Sequence, residues 1–261
     1  MKDYPNSVAN TRCLMKACDN LSIPFDVLDQ YGNFVKVKIG ENPMYFINAK
    51  TPFNSDSFAF ICRDKDFSYK FLNNQIRMPK TISYFDPNIS KAEFTQFSSV
   101  DEIVEDVQNN FQFPIIVKMN SGSATRNVFI CRSKESTKKS FEKIFNKELK
   151  DYDFIALAQE LLEKESEYRV VMFRGEVLLV YKKSGEGLNI NEGIGLEIKE
   201  FVSKSENLKE IEYTGLDILR DKKGDLYLIE ANTFPSIESF VENNGEEQAI
   251  EMYEKILKSI I

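Results

Sequence analysis

Two carboxylates and an amide near the C-terminus carry the strongest chemical signal in this chain. Asp217 lies in the apolar run Thr214–Leu219, and Arg220–Gly224 reads as a tight polar turn. A second apolar run, Leu226–Ile229, ends in Glu230 and, two residues on, Asn232. Two hairpin strands of this kind set one carboxylate on each strand, side by side. Residues two apart on a strand share a face, so Glu230 and Asn232 project together. The result is a hard, oxygen-only site that suits Mg2+, an ion that keeps some of its water and completes its shell with phosphate oxygens. The bland alternative is a hairpin with solvated charges. Against it stands the cost of an acid inside Leu-Tyr-Leu-Ile-Glu-Ala-Asn unless something uses it.

Other residues could serve the same chemistry. Lys118 ends the apolar strand Ile115–Val117 and precedes the small-residue loop Ser121-Gly122-Ser123. A lysine there can reach a phosphate, and backbone N–H groups of the loop can close over it. The alternative is a lysine snorkelling before a turn. The loop lacks the GxxxxGK[ST] order of a P-loop. Gln159-Glu160-Leu161-Leu162 offers apolar surface and backbone groups to a flat ring. Glu167 and Arg169 follow, two apart and on one strand face, although Glu163–Glu167 also reads as a solvated charge run. Lys65, just before a helix, is either a ligand contact or a surface lysine in Arg63-Asp-Lys-Asp.

The chain must supply elements to position these groups. With 261 residues, 42% apolar and 29% charged, it can bury a large core in one or two domains. The net charge of −7 argues against general nucleic-acid or anionic-membrane binding. No apolar run approaches the ~20 residues of a membrane span, and the first residues lack an apolar signal region, so a cytoplasmic location is expected. Four cysteines without a CxxC pair and the absence of histidine argue against zinc and a disulfide framework. They also exclude any imidazole base. Catalysis here must rest on carboxylates, Lys, Arg and metal.

The pattern predicts a helix over 7–20 capped by Ser7, strands over 23–28, 34–39 and 44–48, and helices over 56–63 and 66–73. Next come a strand over 82–85, a helix over 100–109, strands over 113–119 and 128–131, and a helix over 136–145 capped by Ser133 or Ser136. A strand over 155–162, a hairpin of 168–173 with 176–181, a Gly/Asn-rich loop over 184–195 and a helix over 246–260 complete the reading.

Taken in order, these features run lysine at a helix start, strand lysine, small-residue loop, Gln-Glu-Leu-Leu, Glu-x-Arg, Asp, Glu-x-Asn. That order resembles the ATP-grasp superfamily from about Thr51 to Phe240. It is most similar to the branch of glutathione synthetase, cyanophycin synthetase and D-alanine–D-alanine ligase. Residues 51–66 look like an early segment of the cyanophycin and bifunctional glutathione synthetases, and Glu230-Ala-Asn232-Thr-Phe-Pro235 looks like the family's closing metal motif. Three features depart from the pattern: few glycines in the covering loop, Ser236 after the Pro, and a short region before Thr51.

The resemblance implies an α+β, ATP-grasp fold in which two α+β lobes grip the nucleotide. A short N-terminal α/β unit over 1–50 would precede the ATP-grasp region over 51–261, with a small lobe about 113–162 and a larger one about 163–261. Lys65 and Lys118 would contact nucleotide phosphates under a loop containing Ser121, Gly122 and Ser123. Gln159 and Glu160 would face the adenine, with Leu161–Leu162 as backbone hinge, and Glu167 would hold the ribose. Asp217, Glu230 and Asn232 would bind Mg2+, with Mn2+ as a substitute. Arg169 would act at the transferring phosphoryl group, helped by Lys182 or its neighbour Lys183. The implied activity is ATP-dependent carboxylate–amine ligation through an acyl phosphate, with ATP and small substrates such as amino acids or a short peptide as partners. A homodimer, an amino-acid ligase acting on a protein, and a nucleotide-binding regulatory module without ligase activity remain open.

Overall fold

The computed structural model describes residues 6–89, 95–122 and 126–261. The chain begins with α1 (Ala9–Asn20), β1 (Phe25–Val27), β2 (Phe34–Ile39), β3 (Asn42–Ile47) and α2 (Asp56–Arg63). It continues with α3 (Lys65–Leu72), β4 (Thr81–Phe85), α4 (Val100–Asn110), β5 (Ile115–Met119), β6 (Val128–Cys131), α5 (Lys134–Ile144) and β7 (Ile155–Glu160). Then follow β8 (Lys164–Phe173), β9 (Glu176–Lys182), β10 (Gly187–Leu188), α6 (Gly193–Val202), α7 (Glu206–Glu210), β11 (Tyr213–Asp221), β12 (Leu226–Asn232), α8 (Glu238–Asn244) and α9 (Glu247–Lys258). The class is α+β, as the sequence leads one to expect.

By packing, Met1–Cys62 groups with Lys164–Ile261, and Arg63–Glu163 forms a second unit. The stretch before Thr51, read from sequence as a unit of its own, shares a core with the C-terminal half. Leu14 and Cys18 of α1, Val35 and Val37 of β2, and Phe46 of β3 are buried with Val171, Tyr213, Phe240, Tyr253 and Ile256. Removing each such side chain from water contributes about 1.5–3 kcal/mol. The second unit packs α4 and α5 on one face of its sheet, with Ile103, Val107, Phe141 and Ile144 against Ile115, Val117, Ala156 and Ala158.

Both large sheets are antiparallel. The first unit carries the order β10-β9-β8-β11-β12 and a separate sheet β1-β2-β3; the second carries β4-β7-β5-β6. Boundaries differ from expectation where local chemistry decides them. Ser7 is not the cap of α1: Val8 holds that position without a side-chain hydrogen bond. Ser133 rather than Ser136 caps α5, and the two form a capping box. The strand expected to run to Leu162 ends at Glu160. The stretch 184–195 is not simply a loop, since it contains β10 and the first turn of α6. All four cysteines are free and buried, and burial pushes the Cys13, Cys18 and Cys62 thiols up to about 12. Among the described residues no helix is long and apolar enough to cross a membrane.

Asn10 of α1, buried, fixes the segment that follows β12. Its Nδ2 donates to the Pro235 carbonyl at 3.0 Å and the Tyr253 hydroxyl at 3.1 Å, and its Oδ1 accepts from Ile237 N at 3.3 Å. Asn10→Leu strands those groups in a dry site. We expect a loss of about 2–3 kcal/mol of stability, read as a lower urea midpoint with an unchanged slope; an unchanged midpoint would show that the anchor contributes nothing.

Candidate functional site

The five-stranded sheet owes its chemistry to its register. In β11 and β12, Asp217 pairs with Glu230 and Gly215 with Asn232, and a register shift follows Asp217. In β11 and β8, Asp217 pairs with Arg169 and Leu219 with Glu167. In β8 and β9, Arg169 pairs with Tyr181. Directly opposed residues project to the same face, so Tyr181, Arg169, Asp217 and Glu230 form one row across four strands. Towards Val171, Phe173 and Tyr213 the same face is core; towards Glu167 it carries charge.

Asp217, 7% exposed, is the hub of that row. Its Oδ1 lies 2.6 Å from Arg169 Nε and its Oδ2 2.9 Å from Lys183 Nζ. The Arg169 contact is an ion pair without hydrogen-bond geometry, since both atoms are buried without a hydrogen-bond partner. Lys183 Nζ also lies 3.9 Å from Glu167 Oε2, and Lys164 Nζ lies 3.6 Å from the same oxygen. Burial pushes the nearby Tyr181 phenol up to about 12, so it stays a neutral donor, and it donates to the Ser236 carbonyl at 3.0 Å.

Lys182 does not join this group. It pairs with Tyr168 across the strands and so lies on the opposite face, where its ammonium meets Glu186 at 2.6 Å. That bond holds Lys182 above the usual lysine range. Of the two lysines named as helpers from sequence, Lys183 is the one beside Asp217; strand alternation makes the neighbours exclusive.

The donor set Asp217, Glu230 and Asn232 fits a hard cation. Asn232 Oδ1 is buried with no hydrogen-bond donor, which leaves an acceptor whose desolvation is uncompensated within the chain. The close approach at this corner requires glycine at 215, because a Cβ there would stand 2.5 Å from Pro235 Cβ and 3.4 Å from Asn232 Oδ1. Among the described residues no three His, Cys, Asp or Glu gather as a metal cluster; this set has two carboxylates and an amide.

The second unit has a site of its own. Asp64 caps α3 by accepting from Phe67 N at 2.9 Å. Lys65, the first helical residue, donates to the carbonyls of Asn120 at 3.3 Å and Gly122 at 2.5 Å. Asn120 closes the arrangement, with Oδ1 accepting from Asp66 N at 2.9 Å and Nδ2 donating to Asp64 Oδ2 at 2.7 Å. Ser121 donates through N and Oγ to Asp153 Oδ2 at 2.8 and 2.7 Å. Gly122 is needed for contact, since a Cβ would sit 2.4 Å from Met119 Cγ. Lys65, Ser121 and Gly122 are thus brought together; Ser123 lies outside the described residues.

Lys118 is buried rather than snorkelling, and it donates to Gln159 Oε1 at 3.0 Å. Its sheet face includes Val128, opposite it, and Ile116 paired with Ile130. Val128 and Ile130 are 42% and 55% exposed, an apolar platform beside a cation. The sequence showed these residues as a strand, but only the pairing assigns their face. Glu160 is exposed at the end of β7, its N–H donating to the Lys80 carbonyl at 2.9 Å. Leu161 and Leu162 follow the strand end, half-buried.

A family model, the RimK-like ATP-grasp domain, matches residues 62–256. No curated protein matches the chain. Among solved structures the chain is similar to a bifunctional glutathione synthetase from Pasteurella multocida, with 15% identity, a TM-score of 0.54, and 89% of this chain covering 40% of that one. It is similar to the VanG D-Ala:D-Ser ligase from Enterococcus faecalis, with 16% identity, a TM-score of 0.57, and coverage of 77% and 62%. It is also similar to the ATP-grasp ligase PsnB complexed with a minimal precursor, with 17% identity, a TM-score of 0.53, and coverage of 78% and 63%. The chain therefore spans less than two thirds of each. These likenesses show the fold, and it is the ATP-grasp fold.

The two adjacent lysines separate by stability. Lys182→Met removes one exposed pair and is expected to leave the stability nearly unchanged. Lys183→Met takes a cation from a nearly buried carboxylate and is expected to cost about 1–2 kcal/mol. Chemical denaturation of both checks this; equal costs would contradict the face assignment.

Proposed function

The chain belongs to the RimK-like ATP-grasp family, and we propose on that basis that it is an ATP-dependent carboxylate–amine ligase. The observation that carries the reading is the row Arg169–Asp217–Glu230 with Asn232 on the same face. It sets two acids, an amide oxygen and fixed cations on one rigid sheet.

In this reading a carboxylate oxygen attacks the γ-phosphorus of ATP, ADP leaves, and an acyl phosphate forms. An amine nitrogen then attacks the acyl carbon, phosphate leaves, and the amine loses its proton as the amide forms. Asp217, Glu230 and Asn232 would hold Mg2+, which supplies charge neutralisation to the phosphate oxygens. Arg169 presents a planar fork to charge that develops on the transferring group, and Lys183 adds a second cation on that face. Glu167 accepts the ribose hydroxyls. Lys118 and Lys65 take phosphate oxygens, and Ser121, Gly122 and Ser123 belong to the covering loop. Gln159, Glu160 and the backbone of Leu161–Leu162 line the adenine, to which Ile116, Val128 and Ile130 offer an apolar wall. Fixed charge and metal suffice for this mechanism, so a chain without histidine can run it.

A second reading concerns the acceptor. The PsnB structure holds a minimal precursor, which favours a peptide or protein as the group modified here. ADP release measured across amino acids, short peptides and candidate proteins tests both readings. Turnover dependent on a carboxylate and an amine supports ligation. ATP binding without turnover in every arm would leave a regulatory module.

Asp217→Asn and Glu230→Gln each remove an anionic ligand, so each is expected to abolish Mg-ATP turnover while the circular dichroism stays native. Wild-type ADP release by both at saturating Mg2+ would refute the metal assignment.

Glu167 and Arg169 share a face but should fail differently. Ribose is bound alike in ground and transition states, so Glu167→Gln is expected to raise KM for ATP with a smaller change in kcat. Arg169→Met is expected to lower kcat by about 100-fold, and Arg169→Lys to recover only part of it. A pure KM effect of Arg169→Met would make it a ground-state binder.

A further inference from the structure

We propose that Thr81 is a positioning residue for Lys118 and that it acts through Gln159. The inference rests on the proposed contact between Lys118 and the nucleotide phosphates, and it adds a residue on another strand. β4 pairs with β7 so that Thr81 stands opposite Gln159, and β7 pairs with β5 so that Gln159 stands opposite Ile116, two residues from Lys118. The three side chains therefore share one face of the sheet. All are nearly dry, with Thr81 8%, Gln159 4% and Lys118 7% exposed.

Their hydrogen bonds run in one direction. Lys118 Nζ donates to Gln159 Oε1 at 3.0 Å, Gln159 Nε2 donates to Thr81 Oγ1 at 2.8 Å, and Thr81 Oγ1 donates to the Pro79 carbonyl at 2.9 Å. The direction is forced. A carbonyl oxygen only accepts, and a hydroxyl has one proton, so Thr81 gives that proton to Pro79 and can only accept from Gln159. Gln159 must then turn its NH2 group to Thr81 and its oxygen to Lys118. An ammonium has only donors, so the other amide orientation would set donor against donor in a dry site. The lysine and the hydroxyl thus require the same orientation of the amide, the hydroxyl anchors its far end, and the amide fixes one of the three ammonium protons. The head group is held before a ligand arrives, and the ordering cost is met in folding rather than in binding.

Thr81→Val keeps the shape and the strand propensity but removes the acceptor. Gln159 Nε2 then loses its acceptor in a dry site, and the amide that holds Lys118 is no longer anchored. Calorimetric titration with Mg-ATP, and with adenosine as a phosphate-free probe, reads the effect. Thr81→Val is expected to weaken Mg-ATP about tenfold, the factor of one ordinary hydrogen bond, with adenosine unchanged. Thr81→Ser, which restores the hydroxyl, is expected to return Mg-ATP affinity to near that of the unsubstituted chain. Thr81→Val added to Lys118→Met is expected to weaken Mg-ATP no further than Lys118→Met alone, because the effect passes through the lysine. Thermal unfolding of each variant establishes that it folds, and Thr81→Ala carries the same test should Thr81→Val fail to fold. Unchanged Mg-ATP affinity in Thr81→Val, an equal loss for adenosine, or additivity with Lys118→Met would overturn the proposal. Should Lys118→Met itself bind Mg-ATP as the unsubstituted chain does, the role given to Lys118 fails first, and the two failures are told apart by that variant.

Discussion

The register of β8, β11 and β12 is the constraint on which the candidate chemistry depends. Side chains alternate along a strand with a period of two, so a slip of one residue would send Asp217 to the opposite face from Arg169 and Glu230. The apolar residues enforce the register. Val171, Phe173 and Tyr213 on the same face as Asp217 are sealed in the core with Phe240 and Tyr253. A slip would exchange them with Val170, Met172 and Leu216, which are buried on the other face, and both packed faces would lose their fit. The charged end of the face is therefore positioned by the apolar end, and the shift after Asp217 leaves the row Tyr181–Arg169–Asp217–Glu230 intact.

Within that frame Asp217 takes an unusual place for an acid. It is nearly buried, and its two oxygens face Arg169 and Lys183. An unpaired carboxylate there would be expensive; two cations offset the cost in the chain itself. The same cations would suit a polyanion such as the phosphates proposed above. Among the described residues Asn232 Oδ1 has no hydrogen-bond donor, and a bound cation would satisfy it.

Much of this was legible in the sequence. The hairpin Thr214–Asn232 announced itself through a polar turn between apolar runs, but counting from the turn pairs Asp217 with Ile229, and the shift that sets it opposite Glu230 left no sign in the sequence. Glu167 and Arg169 could be assigned to one face because they are two apart. Which of Lys182 and Lys183 stands beside Asp217 was not legible, because only pairing with Tyr168 assigns the face of Lys182. In α9 the helical spacing of Ala249, Ile250, Tyr253, Ile256 and Ile260 marks an apolar face, but the buried set is Ala249, Met252, Tyr253, Ile256 and Leu257, which depends on what packs against the helix. Val128, Ile130 and Thr81 escaped notice for a similar reason. Their meaning lies in which strands stand beside them, a non-local fact.

The dependence on neighbours also explains why the chain builds its cationic groups on strands. Lys118, Arg169 and Lys183 lie on or just past strands whose partners fix their direction, whereas a loop lysine would keep its rotamer freedom and lose about 1.5–2 kcal/mol of side-chain entropy on being ordered. Lys65 reaches the same end by a different route. As the first residue of α3 it follows the Asp64 cap, and its ammonium clasps the carbonyls of Asn120 and Gly122. That clasp links the position of the loop to the start of a helix, and Asn120 ties the two together from the other side. Lys118 and Lys65 are oriented by a neutral amide and by carbonyls, and Arg169 and Lys183 by the carboxylate of Asp217.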